Sequence, residues 1–311
     1  KKKKKHMPLI SSKSVRQTPW PEGQNVRHLE PLGFIKFDLL GLSTLRMIEG
    51  AISHILRRHH GIENPTHVDI RKYYDKNLHP DVLDFDDSKV YKNVFHKGKW
   101  AGIFQFTENG GQALCKKAKP ICIIDISAIT SIYRPGPLSA NVDKSYIEAK
   151  KAPGLITYLN DIHRELTEET YGFLIFQEQI AMLAHKLGKN ISLDEGNKLR
   201  KILTKKGGGS KKKQFDSLRS RFIEGCVEKN IRERDAVEMW EKFEFFSGYG
   251  FNKSHAVSYS MISYQCAWLL NYYEAEWMAA FLDKEPETRK EKAINVAKSF
   301  GYYIEPLNVN T

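Results

Sequence analysis

Tyr249-Gly250-Phe251-Asn252-Lys253-Ser254-His255-Ala256 sets an amide, an ammonium, a hydroxyl and an imidazole side by side, next to Gly248 and Gly250 and directly ahead of an apolar, aromatic run. Buried in a core, Asn252, Lys253, Ser254 and His255 would each need a polar partner. At the start of a helix the same residues suit a phosphate or a sugar, because backbone N–H groups, a lysine and a hydroxyl converge there. Residues 254 to 270 have the composition to form that helix.

A second concentration of charge surrounds Gly207-Gly208-Gly209-Ser210. Lys198, Arg200, Lys201, Lys205, Lys206, Lys211, Lys212, Lys213, Arg219 and Arg221 flank it, with Asp216 the one acid among them. Like charges at this density repel, which favours a mobile loop that a polyanion would neutralise, and the lack of interleaved acids favours phosphate contact over a merely solvated charge run. No Gly-x-x-x-x-Gly-Lys-Ser/Thr loop is present.

Asp38 lies in the apolar stretch Phe37-Asp38-Leu39-Leu40, with Lys36 two residues away on the same face of a strand. An unpaired buried carboxylate is expensive. Read alone, Asp38 is better explained by a structural salt bridge than by a divalent metal, and one carboxylate does not build a two-metal site. Arg134 precedes Pro135-Gly136-Pro137, whose rigidity aims the guanidinium; bidentate phosphate binding and a solvated surface turn account for it equally well. Gln177-Glu178-Gln179 opens a helix, where solvated cap residues are the simpler account. Asp84-Phe85-Asp86 reads as a surface acidic cluster.

The elements that must carry these residues are mostly helical. Ser43-Thr44 caps a helix with Leu45, Ile48, Ile52, Ile55 and Leu56 on one face, closed by His54, Arg57, Arg58, His59 and His60. Residues 34 to 41 read as a strand and 61 to 99 as short helices. An extended piece at 98 to 106 ends in a turn at Gly110-Gly111. Helices follow at 112–118, 123–133, 142–150, 155–164, 177–187, 192–203, 214–229, 233–246, 254–270, 274–282 and 287–299, and Tyr302-Tyr303-Ile304 reads as a returning strand. Ser192 and Glu195 form a capping box. Lys205 to Lys213 reads as a loop.

The 311 residues carry a formal net charge of +12, which favours a polyanionic partner. Lys1 to Lys5 with His6-Met7 inflate the charge and read as a tag or disordered tail. The absence of any run of about 18 apolar residues argues against a membrane span. Four scattered cysteines, Cys115, Cys122, Cys226 and Cys266, form no Cys-x-x-Cys pair. They read as reduced thiols in a cytosolic setting, with Cys266 a small core residue.

Six segments occur in one order: Phe37-Asp38-Leu39-Leu40-Gly41-Leu42; Gly102-Ile103-Phe104-Gln105-Phe106; Tyr133-Arg134-Pro135-Gly136-Pro137-Leu138; Thr170-Tyr171-Gly172 with Phe176-Gln177-Glu178-Gln179; Leu199-Arg200-Lys201 with Lys205-Lys206; and residues 249 to 256. Their order and spacing, from about residue 33 to 282, resemble the C-family bacterial replicative DNA polymerases, the polymerase III alpha subunit and its relatives. Leu203-Thr204-Lys205-Lys206-Gly207-Gly208-Gly209 and the compact length resemble phage-encoded members.

The resemblance implies roles. Asp38 matches the third catalytic aspartate of the palm, a ligand for one of two Mg²⁺ ions, and Lys36 the lysine beside it. Arg134, Gln177, Lys205, Lys206, Asn252, Lys253, Ser254 and His255 match fingers segments along the nucleotide and template path, with His255 against the incoming sugar. Lys198, Arg200, Lys201, Lys211, Lys212 and Lys213 are expected to contact DNA. The family's first two aspartates, in a Pro-Asp-x-Asp-x-Asp-Phe type motif, do not occur before Asp38.

The expected fold is therefore mainly α with a small β component: a helical fingers domain attached to a strand-bearing edge of a polymerase palm. Its parts are an arm at 1–30, a distal palm segment at 31–60, fingers at 61–285, and a C-terminal helix and strand at 286–311 leading to a further domain. The whole enzyme would transfer nucleotides from dNTP to a primer on template DNA, in the cytoplasm of a bacterial cell or a phage-infected host, without a membrane. This chain alone would bind DNA without polymerising it. Its expected partners are template/primer DNA, dNTP, an N-terminal polymerase half or complementary chain, and a sliding clamp reached through other regions. It reads as half of a split polymerase, an isolated domain or a degenerate remnant. The rival reading is a non-catalytic helical module that binds nucleic acid through the lysine loop; a metal-dependent nuclease lacks a second clustered ligand set.

Overall fold

A computed structural model describes residues 10–12, 14–17, 33, 41–139, 141–204, 210–247 and 250–305. The chain divides into two compact units, residues 1–42 and 43–311. In the first, β1 (Ile10–Ser12) pairs antiparallel with β2 (Val15–Gln17), Ile10 opposite Gln17 and Ser11 opposite Arg16. Ser14 makes the tight turn between them at φ 63. The strand expected around Asp38 lies outside the described residues, as do Lys36, Asp38, Lys205 and Lys206 and the side chains of Arg200, Lys201, Lys211 and Lys212.

The second unit is helical. α1 (Ser43–His60) buries Met47, Ile48, Ala51, Ile52, Ile55 and Leu56 along one stripe, while Leu45 turns outward. α2 (His67–Asn77) opens on a capping box between Thr66 and Asp69. A single helical turn, α3 (Ser88–Val90), runs on into a π-helix at Tyr91–His96. α4 (Asn109–Ala118) and α5 (Ile123–Ile132) follow, then the short α6 (Pro135–Ser139) and α7 (Val142–Lys151). Pro135 ends α5 as expected and also starts α6, where its missing N–H is no loss.

α8 (Asp161–Thr167) is capped by Asn160, so the helix expected from 155 begins later, after a 3₁₀ turn at Pro153–Leu155. α9 (Gln177–Leu187), α10 (Leu193–Thr204), α11 (Ser210–Glu228) and α12 (Glu233–Ser247) come next. Lys211, Lys212 and Lys213 therefore stand on the first turn of α11 and not in a loop; lysine is a good helix former, and successive residues are splayed around the axis. α13 (Lys253–Tyr272), α14 (Glu274–Lys284) and α15 (Lys290–Ser299) complete the unit.

Two further expectations are corrected. Residues 100–106 form successive turns, with Ile103 N–H to the Trp100 carbonyl at 3.3 Å and Phe106 N–H to the Ile103 carbonyl at 3.2 Å, and not an extended piece. Tyr302-Tyr303-Ile304 is not a strand. The Tyr302 N–H closes α15 on the Ala297 carbonyl at 3.2 Å and Gly301 on Lys298 at 2.9 Å, a glycine-terminated cap that takes the backbone a strand would need.

Two apolar cores organise these helices. The larger joins α1, the π-helix, α4, α5, α13 and α14; the smaller joins α9, α10, α11 and α12. α5 and α13 cross where Ser127 Oγ donates to Ser260 Oγ at 3.0 Å, small residues on both sides letting the backbones approach. Two buried polar tips of the larger core are answered by backbone: Trp277 Nε1 donates to the Ala101 carbonyl at 2.7 Å and Gln265 Nε2 to the Leu78 carbonyl at 2.8 Å. Cys266 is fully buried as expected, and burial pushes its thiol up to about 12. Among the described residues no helix is long and apolar enough to cross a membrane.

Candidate functional site

Three chain segments meet at the start of α13. Phe251 pairs with Phe176 in an isolated parallel bridge: the Gln177 N–H donates to the Phe251 carbonyl at 2.9 Å and the Phe251 N–H to the Ile175 carbonyl at 3.1 Å. Gln177 Nε2 donates to the Gly250 carbonyl, so this amide holds the motif in place from beneath. The third segment is the turn after α5, where the Arg134 N–H reaches the Ile132 carbonyl at 2.7 Å.

Asn252 is the N-cap of α13. Its Oδ1 accepts from the His255 N–H at 2.8 Å and the Ser254 hydroxyl at 2.7 Å, and its Nδ2 donates to Glu178 at 2.8 Å. The other Glu178 oxygen accepts from the Lys253 N–H at 2.9 Å. The Lys253 ammonium reaches Glu169 at 2.6 Å. The N–H groups that the sequence offers to a phosphate are thus shared between Asn252 and Glu178, a carboxylate sitting where the helix dipole favours an anion.

One set of side chains stays open. The Arg134 guanidinium lies 4.1 Å from the centroid of the Phe251 ring. His255 meets the Phe251 ring edge-on at 5.3 Å and the Tyr259 ring at 4.0 Å, and Tyr259 meets Phe104 at 5.3 Å. Arg134 and His255 are exposed, and Phe104, Phe251 and Tyr259 are half-buried. Among the described residues Arg134 forms no ion pair and the His255 ring no hydrogen bond. A cation at the head of a column of ring faces has the two things a nucleotide offers: charge to meet phosphate and π-surface to meet a base or sugar.

The structure thus brings Arg134, Gln177, Asn252, Lys253, Ser254 and His255 together. Lys198 and Lys213 belong to the smaller core's helices and have no described contact with the column; Lys198 pairs with Asp194 one turn away. Arg221 donates to Glu195 at 2.5 Å, and that bond, ahead of the Ser192 N–H, holds the Glu195 carboxyl down to about 2. Tyr259 and Phe104 were not singled out as site residues. The i, i+4 spacing of His255 and Tyr259 on α13, with Phe251 four residues ahead of His255 just before the cap, was the available signal.

Behind the turn that carries Arg134 sits a buried ion pair. Asp125, fully buried in the first turn of α5, accepts from the Ile121 N–H at 2.8 Å and the Tyr146 hydroxyl at 3.0 Å and pairs with the Lys150 ammonium. Lys150 also donates to the Tyr171 hydroxyl at 2.9 Å and lies over that ring at 4.9 Å. α5, α7 and the Tyr171-Gly172 turn are tied at one point, which fixes the helix that ends at Arg134.

A cavity of about 600 Å³ opens between α7, α8 and α12, with His163, Tyr171, Phe173 and Lys242 in its wall. His163 Nδ1 accepts from the Leu159 N–H at 3.2 Å, which places the ring proton on Nε2. Burial, then Lys242, pulls the imidazole down to about 4. With the folded value below that of the unfolded chain, the unfolded state takes up a proton first as pH falls from 6.5 toward 4, so stability declines through that window. The expected loss is about 2 to 3 kcal/mol, discounted for partial solvent access. Urea midpoints across that range should drop for the parent chain and stay flatter for His163→Gln; parallel curves would exclude the assignment.

The described residues from 45 to 230 fall within the span that matches the family model for the bacterial DNA polymerase III alpha subunit finger domain. The DNA polymerase III subunit alpha of Campylobacter jejuni is 34% identical over 285 residues, covering 91% of this chain and 22% of that protein. Those of Aquifex aeolicus and Bacillus subtilis are 35% identical over 283 residues and 34% over 285, each covering 91% of this chain and 23% and 24% of the relative. The chain spans about a quarter of the length of the curated relatives it matches.

Proposed function

This chain belongs to the bacterial DNA polymerase III alpha-subunit family, through its finger domain, and from that we propose that the Arg134–Phe251–His255–Tyr259 column receives an incoming dNTP beside template DNA. The open cation over a ring face carries the reading. Arg134 meets the phosphates, two of whose oxygens can accept from the planar fork of a guanidinium. Phe251 and His255 meet the base and sugar. Lys253, paired with Glu169, and the Asn252–Glu178 cap hold the α13 start rigid so that the column is presented in one geometry.

In the complete enzyme these residues would belong to the fingers, Asp38 and Lys36 would be this chain's contribution to the palm, and the reaction would be template-directed nucleotidyl transfer. Lys205, Lys206 and the lysines of α10 and α11 would add positive charge for DNA. Among the described residues no group of three or more His, Cys, Asp or Glu side chains could hold a metal; Asp38, which lies outside them, would contribute one carboxylate to a Mg²⁺ site completed elsewhere in the enzyme.

The test is binding of a fluorescent dATP analogue to this chain. Base–aromatic stacking contributes roughly 1–3 kcal/mol per base, so Phe251→Ala should weaken binding by about tenfold or more while the backbone bridge to Phe176 keeps the helix content unchanged. His255→Ala should weaken it less. Equal affinity in parent and both variants would remove the column from the nucleotide path.

A further inference from the structure

We propose that the lysines at the carboxyl end of α4 and on the neighbouring π-helix carry the phosphate backbone of a nucleic-acid strand leaving the stacked column. This rests on the reading that the column receives a nucleotide. Lys116 and Lys117 stand in the last turn of α4, and Lys119 is its C-cap. Lys92 and Lys97 are one i→i+5 turn apart on the π-helix, hence on one side of it. The two ends are joined. The Lys116 stem covers Gly98, where an added Cβ would meet its Cδ at 3.5 Å, and His96 Nε2 lies 2.8 Å from the Pro120 carbonyl.

All five lysines are exposed, and among the described residues none of them meets a carboxylate; Lys97 donates only to the neutral amide oxygen of Asn93 at 3.3 Å. Carboxylates on the neighbouring elements have partners of their own: Asp125 pairs with Lys150, Glu274 with Lys99 at 2.7 Å, and Asp87 accepts from the Tyr272 hydroxyl at 2.5 Å. Cations at a helix C-terminus complement its dipole, which accounts for Lys116, Lys117 and Lys119 on α4 and for Lys97, the C-cap of the π-helix, but not for Lys92. Lys119 has a φ of 48, a left-handed conformation that glycine or asparagine adopts with less strain. A lysine held there places charge at the expense of local comfort.

The amino end of the same helix reaches the column. Gly110 and Gly111 pack beneath the Tyr133 ring, one residue before Arg134, so closely that a Cβ on Gly110 would lie 2.4 Å from the Tyr133 hydroxyl oxygen. From Gly111 to the cap at Lys119 the helix runs roughly 12 Å at 1.5 Å per residue. Along a duplex axis that length spans about three or four phosphates of one strand, at 3.4 Å of rise each; an extended single strand sets fewer along it. One short helix therefore connects the stacking surface at one end with unpaired ammonium groups at the other.

The experiment is anisotropy of a fluorescein-labelled oligothymidylate with the full chain over a series of KCl concentrations. The variants are K116Q/K117Q/K119N, in which asparagine keeps the left-handed cap, and K92Q/K97Q. Each should weaken binding several-fold near physiological salt. Each should also reduce the slope of log K against log salt by roughly 0.7 per lysine that meets a phosphate, with unchanged circular dichroism. Slopes equal to the parent's in both variants would overturn the proposal. Phe251→Ala should weaken binding with the salt slope retained; if it binds like the parent while the lysine variants lose slope, the column reading fails and the lysine path stands. Competition by poly-L-glutamate as strong as by unlabelled oligothymidylate, lost in the lysine variants, would assign the face to an acidic protein and overturn the nucleic-acid partner.

Discussion

Lys150→Ala is expected to lower the unfolding free energy by about 3–5 kcal/mol, because it strands a carboxylate in a water-free site. For a helical unit of this size that corresponds to a fall in Tm on the order of 10 °C. Asp125 has no exposed surface and would keep neutral donors, the Ile121 N–H and the Tyr146 and Tyr171 hydroxyls, with no countercharge. Burial, then the Asp125 charge, drives the Tyr146 phenol far above its ordinary value, so it remains a donor at any accessible pH but supplies no countercharge. Lys186→Ala, which breaks a solvent-reached pair with Glu165, should cost less than about 1 kcal/mol. Urea denaturation of the two variants side by side reads the difference. If Lys150→Ala is no more destabilising than Lys186→Ala, the three-element tie behind α5 is not what holds that helix.

Arg134→Ala, placed in a polypeptide carrying the remaining polymerase segments, should reduce kcat/KM for dNTP incorporation by about 10²–10³-fold, the range seen when one preorganised charge donor is removed from developing negative charge. Arg134→Lys should fall between parent and Ala, because an ammonium keeps the charge but loses the planar contact over Phe251. Primer–template affinity should change far less than the rate in both. Asp38→Asn in the same polypeptide should abolish extension with oligonucleotide binding preserved. The rival reading, a non-catalytic module, expects indifference to both substitutions and to dNTP. Undiminished extension by Arg134→Ala removes the guanidinium from the reacting nucleotide, and extension by Asp38→Asn removes that carboxylate from the chemistry.

The helices were legible because their determinants are local. The stripe of Ile48, Ile52, Ile55 and Leu56 on α1, the Ser192–Glu195 box and the break at Pro135 act within a turn or two of chain. The misread pieces are those whose short-range backbone bonds leave no mark in the side-chain pattern. The Gly301 cap consumed Tyr302 as the end of a helix, and Val94 accepts from both Gly98 and Lys99 where the π-helix closes. A π-helix gives no apolar period of its own, so nothing in the pattern of 91–96 distinguishes it from an ordinary turn of α-helix.

By itself, the sequence determined that this chain is a basic, mainly helical member of its family and that Arg134 and the residues from 249 to 256 are its unusual chemistry. Only the tertiary structure decided which of those charges stay available. Lys253 is taken by Glu169 and the α13 start by Glu178, while Arg134 lies open over Phe251. Lys92, Lys97, Lys116, Lys117 and Lys119 likewise join into one face only through the packing of two helices. The physical reason is range. Helix propensity and capping are settled by neighbours in sequence, whereas whether a cation is neutralised depends on a carboxylate within a few ångströms in space, brought there from 84 residues away in the case of Glu169 and Lys253.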